Sequence, residues 1–108
     1  MELFLRKLTK AEEKYWNKLA NDIGCCVCRR HMNLINNYVS IHHINGRTKK
    51  RKNGISPHME VLPLCFPHHQ GIFGIHTMSR KVWERQFGKQ TDLKDYCDKL
   101  LGDRDWET

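Results

Sequence analysis

Long apolar runs are missing from this chain. No stretch of its 108 residues approaches the roughly 20 apolar residues that a membrane-spanning helix needs. The first residues also lack the apolar core of a secretory signal peptide, and there are no internal repeats or low-complexity tracts. We therefore expect one cytoplasmic domain with no membrane partner, long enough for a modest hydrophobic core.

Acidic residues are also in short supply. Twelve Asp and Glu stand against 19 Lys and Arg, which gives a formal net charge of +7 and an isoelectric point near 9.3. This balance favours a polyanionic partner, and nucleic acid is the commonest one. The densest positive charge is a basic loop, which we expect to bind backbone phosphates through Arg47, Lys49, Lys50, Arg51 and Lys52. The alternative is a solvated, mobile turn.

The five cysteines do not indicate a disulfide framework, because the number is odd and nothing marks the chain as secreted. In a reducing compartment, clustered Cys and His more often indicate a metal site. Cys25 and Cys28 form a C-x-x-C pair, and Cys65 and His68 form a second pair with the same two-residue spacer. Such a Cys₃His set is typical of structural zinc, and Cys26 is then a bystander thiol.

Apolar spacing and capping residues predict helices over residues 9–23, 79–87 and from 91 or 92 to about 101. Thr9 with Glu12 forms a capping-box pattern at the first helix, and Ser79 is placed to cap the second. Cys97 follows the apolar spacing of the third helix, so we expect a buried core thiol. Strands are predicted at 38–44 and about 59–64, with irregular segments at 29–37 and 70–76.

A second group of histidines suggests chemistry beyond a structural metal site. Successive residues of a strand face opposite sides, so one member of the His42-His43 doublet can bind metal while its neighbour acts on the substrate as a general base. His69 and His76 are the candidates to complete such a site. An all-imidazole site suits Zn, Ni, Mn or Co better than Mg. The alternatives are two half-exposed strand histidines and a loop histidine without a ligand role at position 76.

The order of these motifs resembles the HNH (ββα-metal) endonucleases, most closely the phage recombination enhancement function (Ref) type. The resemblance runs through C-x-x-C, the His doublet, the basic loop, Leu-Pro-Leu-Cys-x-x-His-His, Gly-Ile-His and an aromatic helix ending in Gln-Phe-Gly. It implies an α+β fold, a small zinc-stapled ββα-metal domain with flanking N- and C-terminal helices. Residues 1–24 would form an arm and helix, 25–88 the nuclease core, and 89–108 a helix and tail, all within one compact domain.

The resemblance also implies roles for particular residues. The ligands of a structural Zn²⁺ would be Cys25, Cys28, Cys65 and His68. The ligands of one divalent catalytic ion, Mg²⁺, Mn²⁺, Ni²⁺ or Zn²⁺, would be His42, His69 and His76. His43 would be the general base.

The chain departs from the family pattern at the middle asparagine of the HNH name, where it has Glu60. The bracing role of that asparagine is then vacant or taken by His58, Asn45 or Asn53. On its own, His58 is expected to be a surface histidine.

The function implied is a metal-dependent deoxyribonuclease of phage origin, linked to recombination, with low intrinsic sequence specificity and a RecA-type recombinase filament on DNA as partner. Two alternatives come from other classes: a non-catalytic zinc-stabilised nucleic-acid-binding module, and a zinc-stapled protein-interaction domain whose basic loop only confers solubility. Metal content separates them, because the nuclease needs two ions and either module needs one.

Overall fold

A two-stranded antiparallel sheet lies among short helices in the structure, a computed structural model that describes residues 8–44 and 56–102. In chain order the elements are α1 (Lys10–Lys18), a π-helical turn (Leu19–Ile23), α2 (Cys26–Met32), β1 (Val39–His43), a 3₁₀ turn (Pro57–Met59), β2 (Val61–Cys65), α3 (Phe66–His69), α4 (Arg80–Phe87) and α5 (Gln90–Leu101). The predicted α+β class is confirmed at this level. The basic-loop residues Arg47, Lys49, Lys50, Arg51 and Lys52 lie outside the described residues, as do Asn45 and Asn53.

The N-terminal helix begins with the predicted capping box. The Thr9 hydroxyl accepts a hydrogen bond from the Glu12 backbone N–H at 3.1 Å, and the Glu12 carboxylate accepts one from the Thr9 N–H at 2.8 Å. After Lys18 the backbone continues as the π-helical turn and stops at Gly24. Gly24 has φ +74°, and a Cβ there would lie 2.5 Å from the Asn36 carbonyl oxygen. Only glycine therefore suits this position, which leads directly into Cys25.

The irregular segment predicted over 29–37 is wrong in its first part, because α2 continues to Met32. Only the first turn of α2 is buried, so its remaining side chains show no apolar period that would indicate a helix. The helix ends at Asn33, whose φ of 51° is left-handed. Residues 33–37 are irregular, as predicted, and the strand begins at Val39, one residue later than predicted.

The register of the sheet places His42 opposite Leu62 and His43 opposite Val61. Every residue of β2 is buried, whereas β1 is buried only at its last two positions, the histidines. Both strands match the predicted segments to within two residues. The hairpin thus brings the doublet next to a strand that runs directly into Cys65 and α3.

The core lies between the sheet, α1 and the two C-terminal helices. Tyr15, Trp83, Leu93 and Cys97 are among its fully buried side chains, which confirms the core position predicted for the thiol. Ser79 caps α4 as predicted, and α5 begins only one or two residues before its predicted start. No helix in residues 8–44 and 56–102 has the length and apolar character required to cross a membrane.

Candidate metal centres

The first cluster joins the start of α2 to the junction of β2 and α3. One ligand atom from each of Cys25, Cys28, Cys65 and His68 lies within 4.8 Å of the others, and all four residues are buried. The Cys65 Sγ is 3.1 Å from His68 Nδ1, and the Sγ atoms of Cys28 and Cys65 are 3.8 Å apart. The structure therefore brings together all four residues that the sequence proposed for zinc.

The backbone around this cluster is held by contacts of its own. The Cys25 N–H donates to the Asn36 carbonyl at 2.8 Å, which fixes the turn after Gly24. On the other side, the buried Trp83 indole N–H donates to the His68 carbonyl at 3.2 Å. These hydrogen bonds orient the two pairs of side chains toward each other.

The thiols of this cluster need a positive counter-charge before all three can ionise together. Burial raises the pKa of the Cys28 thiol to about 12 and also raises that of Cys65, and the neighbouring Cys25 adds to both shifts. Burial acts in the same direction on Cys25, but hydrogen bonds from His68 and the backbone lower its pKa to about 6. Thiolates this close repel one another, and a divalent cation removes that repulsion. The donor set therefore fits a divalent metal ion.

The second cluster consists of His42, His69 and His76, whose ligand atoms also lie within 4.8 Å of one another. His42 comes from β1 and His69 from the end of α3. His76 lies in a turn, with its Nε2 3.1 Å from His69 Nε2. His42 and His69 are buried while His76 is exposed, so this cluster is open on one side. Structural metal sites are normally closed, whereas catalytic sites keep an open position.

Gly74 allows the turn that carries His76 to pack against α3. A Cβ at Gly74 would lie 2.7 Å from the backbone of His69 and Gln70, closer than real Cβ contacts. The turn is held by backbone hydrogen bonds from Ile75 to His68 and from His76 to His69, each 3.1 Å long. This close approach places His76 beside His69 although no continuous helix joins them.

Gln90 sets the orientation of His42. The Glu84 carboxylate can only accept hydrogen bonds, so the Gln90 side-chain NH₂ must face it, at 3.3 Å. The Gln90 amide oxygen then faces His42 Nε2 at 2.9 Å and accepts a hydrogen bond from it. This leaves the lone pair of His42 on Nδ1, where a metal ion can be bound.

Ser40 contacts His69 in a similar way, with its Oγ 2.6 Å from Nδ1. The Nε2 atom of His69 faces His76 and is the nitrogen left for a metal ion. Sequence analysis missed both partners. Ser40 had a signal, because it shares a strand face with His42 two residues on. No sequence signal indicated Gln90, since it lies 48 residues from His42 and the two side chains meet only in the folded protein.

Both buried imidazoles are held in the form that binds metal. Burial lowers the pKa of His69 to about 4, and the neighbouring His42 and His76 act in the same direction. Burial also lowers the pKa of His42, although its hydrogen bond with Gln90 opposes the shift. A neutral imidazole is the ligand form, so no proton has to leave either group near neutral pH. The three histidines therefore fit a divalent ion as well.

We expect Gln90→Met to weaken metal binding at the histidine cluster by about 10- to 100-fold, because partners that orient metal-binding histidines typically contribute that much. Gln90 is 2% exposed, so methionine fills the space without the acceptor that orients His42. The measurement is titration calorimetry of Ni²⁺ or Co²⁺ into protein whose Cys₃His site is already loaded. Gln86→Met, at an exposed position of α4, is the matched control. Equal affinity in the two variants would contradict this role for Gln90.

His43 lies on the opposite face of β1 and contacts a different set of residues. Its Nε2 is 3.0 Å from His58 Nδ1, and the two rings meet edge to face. Trp16 packs against both rings and donates its indole N–H to the His58 carbonyl at 2.7 Å. The expectation of a surface histidine at position 58 is wrong: His58 is 4% exposed, because the 3₁₀ turn capped by Ser56 folds back onto α1.

The fold and site define a small α+β domain whose described residues form two clusters of Cys and His side chains, each able to hold a metal ion. A family model described as recombination enhancement, RecA-dependent nuclease matches residues 8–102. The chain belongs to this family. No solved structure matches it.

Family membership confirms the coarse part of the resemblance. The protein is a nuclease of recombination, and the family description indicates that DNA and RecA are involved. The HNH subtype, the identity of the metals and the roles of the individual residues stay predictions.

Proposed function

We propose that the protein is an HNH-type endonuclease that hydrolyses DNA phosphodiester bonds with one divalent ion at the histidine cluster. The observation that carries this proposal is that the two histidines of the doublet contact different groups of residues. His42 joins a cluster of three histidines that could hold a metal ion and is open on one side, while His43, next to it on the strand, contacts His58 instead. Adjacent positions of one strand thus offer a ligand and a separate base.

The second part of the proposal is a structural Zn²⁺ at Cys25, Cys28, Cys65 and His68. This cluster is buried throughout and joins elements from both halves of the chain. Such closed, thiol-rich sites are typical of zinc that stabilises a fold.

His43 has the role of general base in this proposal. In this role an imidazole nitrogen of His43 takes a proton from the attacking water, while its Nε2 faces His58 Nδ1 at 3.0 Å. His58 and Trp16 hold the ring in place, so His58 supplies the bracing that the missing asparagine would give. A divalent ion at the neighbouring cluster would neutralise charge on the scissile phosphate and on the leaving 3′ oxygen.

DNA binding is assigned to the basic loop, with backbone phosphates contacted by Arg47, Lys49, Lys50, Arg51 and Lys52. Contacts to phosphates position DNA without reading its sequence, so affinity should fall steeply with salt and depend little on sequence. We propose that the RecA filament supplies the targeting, because the family is described as RecA-dependent.

The test is metal content together with cleavage of supercoiled plasmid, with and without a RecA filament, in Mg²⁺, Mn²⁺, Ni²⁺ or Zn²⁺. We expect two bound ions of different affinity and nicking that requires the weaker one. His76→Ala should keep the tightly bound ion and lose nicking. His31→Ala changes an exposed histidine outside both clusters, so it should keep both ions and the nicking activity.

A single bound ion in the wild type, with no cleavage under any of these conditions, would contradict the proposal. That result would favour the zinc-stabilised nucleic-acid-binding module.

A further inference from the structure

A surface groove of about 550 Å³ adjoins the histidine cluster. It lies between the start of β1 and α3, and its lining includes Asn37, Tyr38, Ser40, Phe66, His69 and Gln70. Ser40 and His69 are the hydrogen-bonded pair at the candidate metal centre. The groove therefore shares a wall with the site at which we propose that DNA is cut.

Two aromatic side chains of this groove are exposed to solvent. Tyr38 is 91% exposed and Phe66 is 67% exposed. Phe66 points outward because the other side of the four-residue helix α3 is occupied by the buried His68 and His69. Aromatic rings gain free energy when their faces are covered, so two uncovered rings beside one groove indicate a binding surface.

We propose that this groove binds an unpaired nucleobase of the DNA strand being cut, stacked against Tyr38 and Phe66. The inference rests on the proposed function, and it names the substrate form: single-stranded or locally melted DNA. His69 belongs both to the cluster and to the lining of the groove, so the groove is within reach of a nucleoside next to a phosphate bound at the cluster.

The chemistry of the lining suits a base. Aromatic faces stack on any base, and the exposed Gln70 side chain carries an amide donor and acceptor for a base edge. Asn37 has a structural role and does not bind the base, because its amide NH₂ donates to the carbonyls of Ala20 and Asn21 at 2.7 and 3.2 Å. That pair of bonds fixes the loop that carries Tyr38.

Duplex DNA fits this groove poorly. Each base of a duplex is already stacked and paired, so it must leave the helix before it can stack on a side chain. A protein partner docked on the same rings would cover the groove beside His69 and obstruct the approach of the strand to the metal centre. The position of the groove therefore favours a nucleobase over a protein segment.

The test is equilibrium binding of a fluorescent single-stranded oligonucleotide, and of the matching duplex, to the full chain without an added second metal. We expect Tyr38→Ala and Phe66→Ala each to weaken single-strand binding about tenfold, from the usual contribution of a stacked base, and to change duplex binding little. Tyr38→Trp should retain the affinity. Ile72→Ala, which removes an exposed apolar side chain outside the groove, should have no effect.

Photo-crosslinking with an oligonucleotide that contains iodouracil gives a direct readout. The expected product joins the base to Tyr38 or Phe66, as identified by mass spectrometry. Wild-type affinity in both alanine variants, with crosslinks elsewhere, would overturn the groove assignment even if the protein nicks plasmid DNA. A loss confined to RecA-dependent cleavage, with oligonucleotide binding unchanged, would also overturn it, in favour of a protein-docking surface. Crosslinks in the groove of a protein that never cuts DNA would uphold the groove and reject the nuclease proposal.

Discussion

Cys28→Ala is expected to abolish cooperative folding. Under the proposed zinc assignment, Cys28 is one of four ligands that tie α2 to the end of β2 and to α3. Structural zinc contributes about 10–16 kcal/mol in zinc-finger peptides, as much as the whole stability of a typical domain, about 5–15 kcal/mol. Loss of a ligand should therefore remove most of the free energy of unfolding. Thermal denaturation followed by circular dichroism, with zinc content measured on the same sample, is the experiment.

Cys26→Ala is the matched control for this prediction. Cys26 is adjacent to the cluster and fully buried but is not among its ligands. Its loss should cost only the free energy of a small cavity, about 1 kcal/mol, and leave one zinc bound. The zinc assignment fails if Cys28→Ala keeps the wild-type Tm, or if a chelator leaves the Tm of the wild type unchanged.

His43→Ala is expected to lower the rate of plasmid nicking by about 10²- to 10⁴-fold, the usual contribution of a general base. Its side chain lies on the face of β1 opposite the histidine cluster and contacts His58 and Trp16. Metal content should therefore stay at the wild-type level, and the loss should appear in kcat. Single-turnover cleavage at saturating enzyme measures this separately from DNA affinity.

The His31→Ala variant serves again as the control, since it removes an exposed imidazole that belongs to neither cluster. Thermal denaturation of His43→Ala checks that the contact with Trp16 is not required for folding. A nicking rate within a few-fold of the wild type would show that another group accepts the proton.

The parts of the structure that sequence analysis predicted best are those encoded by neighbouring residues. The capping box at Thr9, the stop at Gly24 and the cap at Ser79 each depend on positions within one helical turn, and all three are observed. The members of the two Cys and His clusters among the described residues could also be selected from the sequence, because thiol and imidazole side chains are few and their spacing is informative. Candidate functional residues of rare types can therefore be recognised from the sequence before the fold is known.

The features that were missed depend on contacts between distant segments. Gln90 reaches His42 only because α5 packs behind the sheet, and glutamine is too common to attract attention by itself. His58 is buried through a fold-back onto Trp16 that no local pattern indicates. The extension of α2 to Met32 was missed because the residues after its buried first turn are solvent-facing and, apart from Met32, polar. For Gln90 and His58, tertiary packing and not local propensity decides the outcome.

The two clusters meet in α3, a helix of only four residues. His68 belongs to one cluster and the adjacent His69 to the other. A helix this short has no stability of its own, so the geometry at His69 depends on what anchors His68. On the proposed assignment, loss of the structural zinc would therefore disturb the catalytic cluster as well. A cell short of zinc would then hold an inert form of this nuclease, and DNA would be spared until the metal became available.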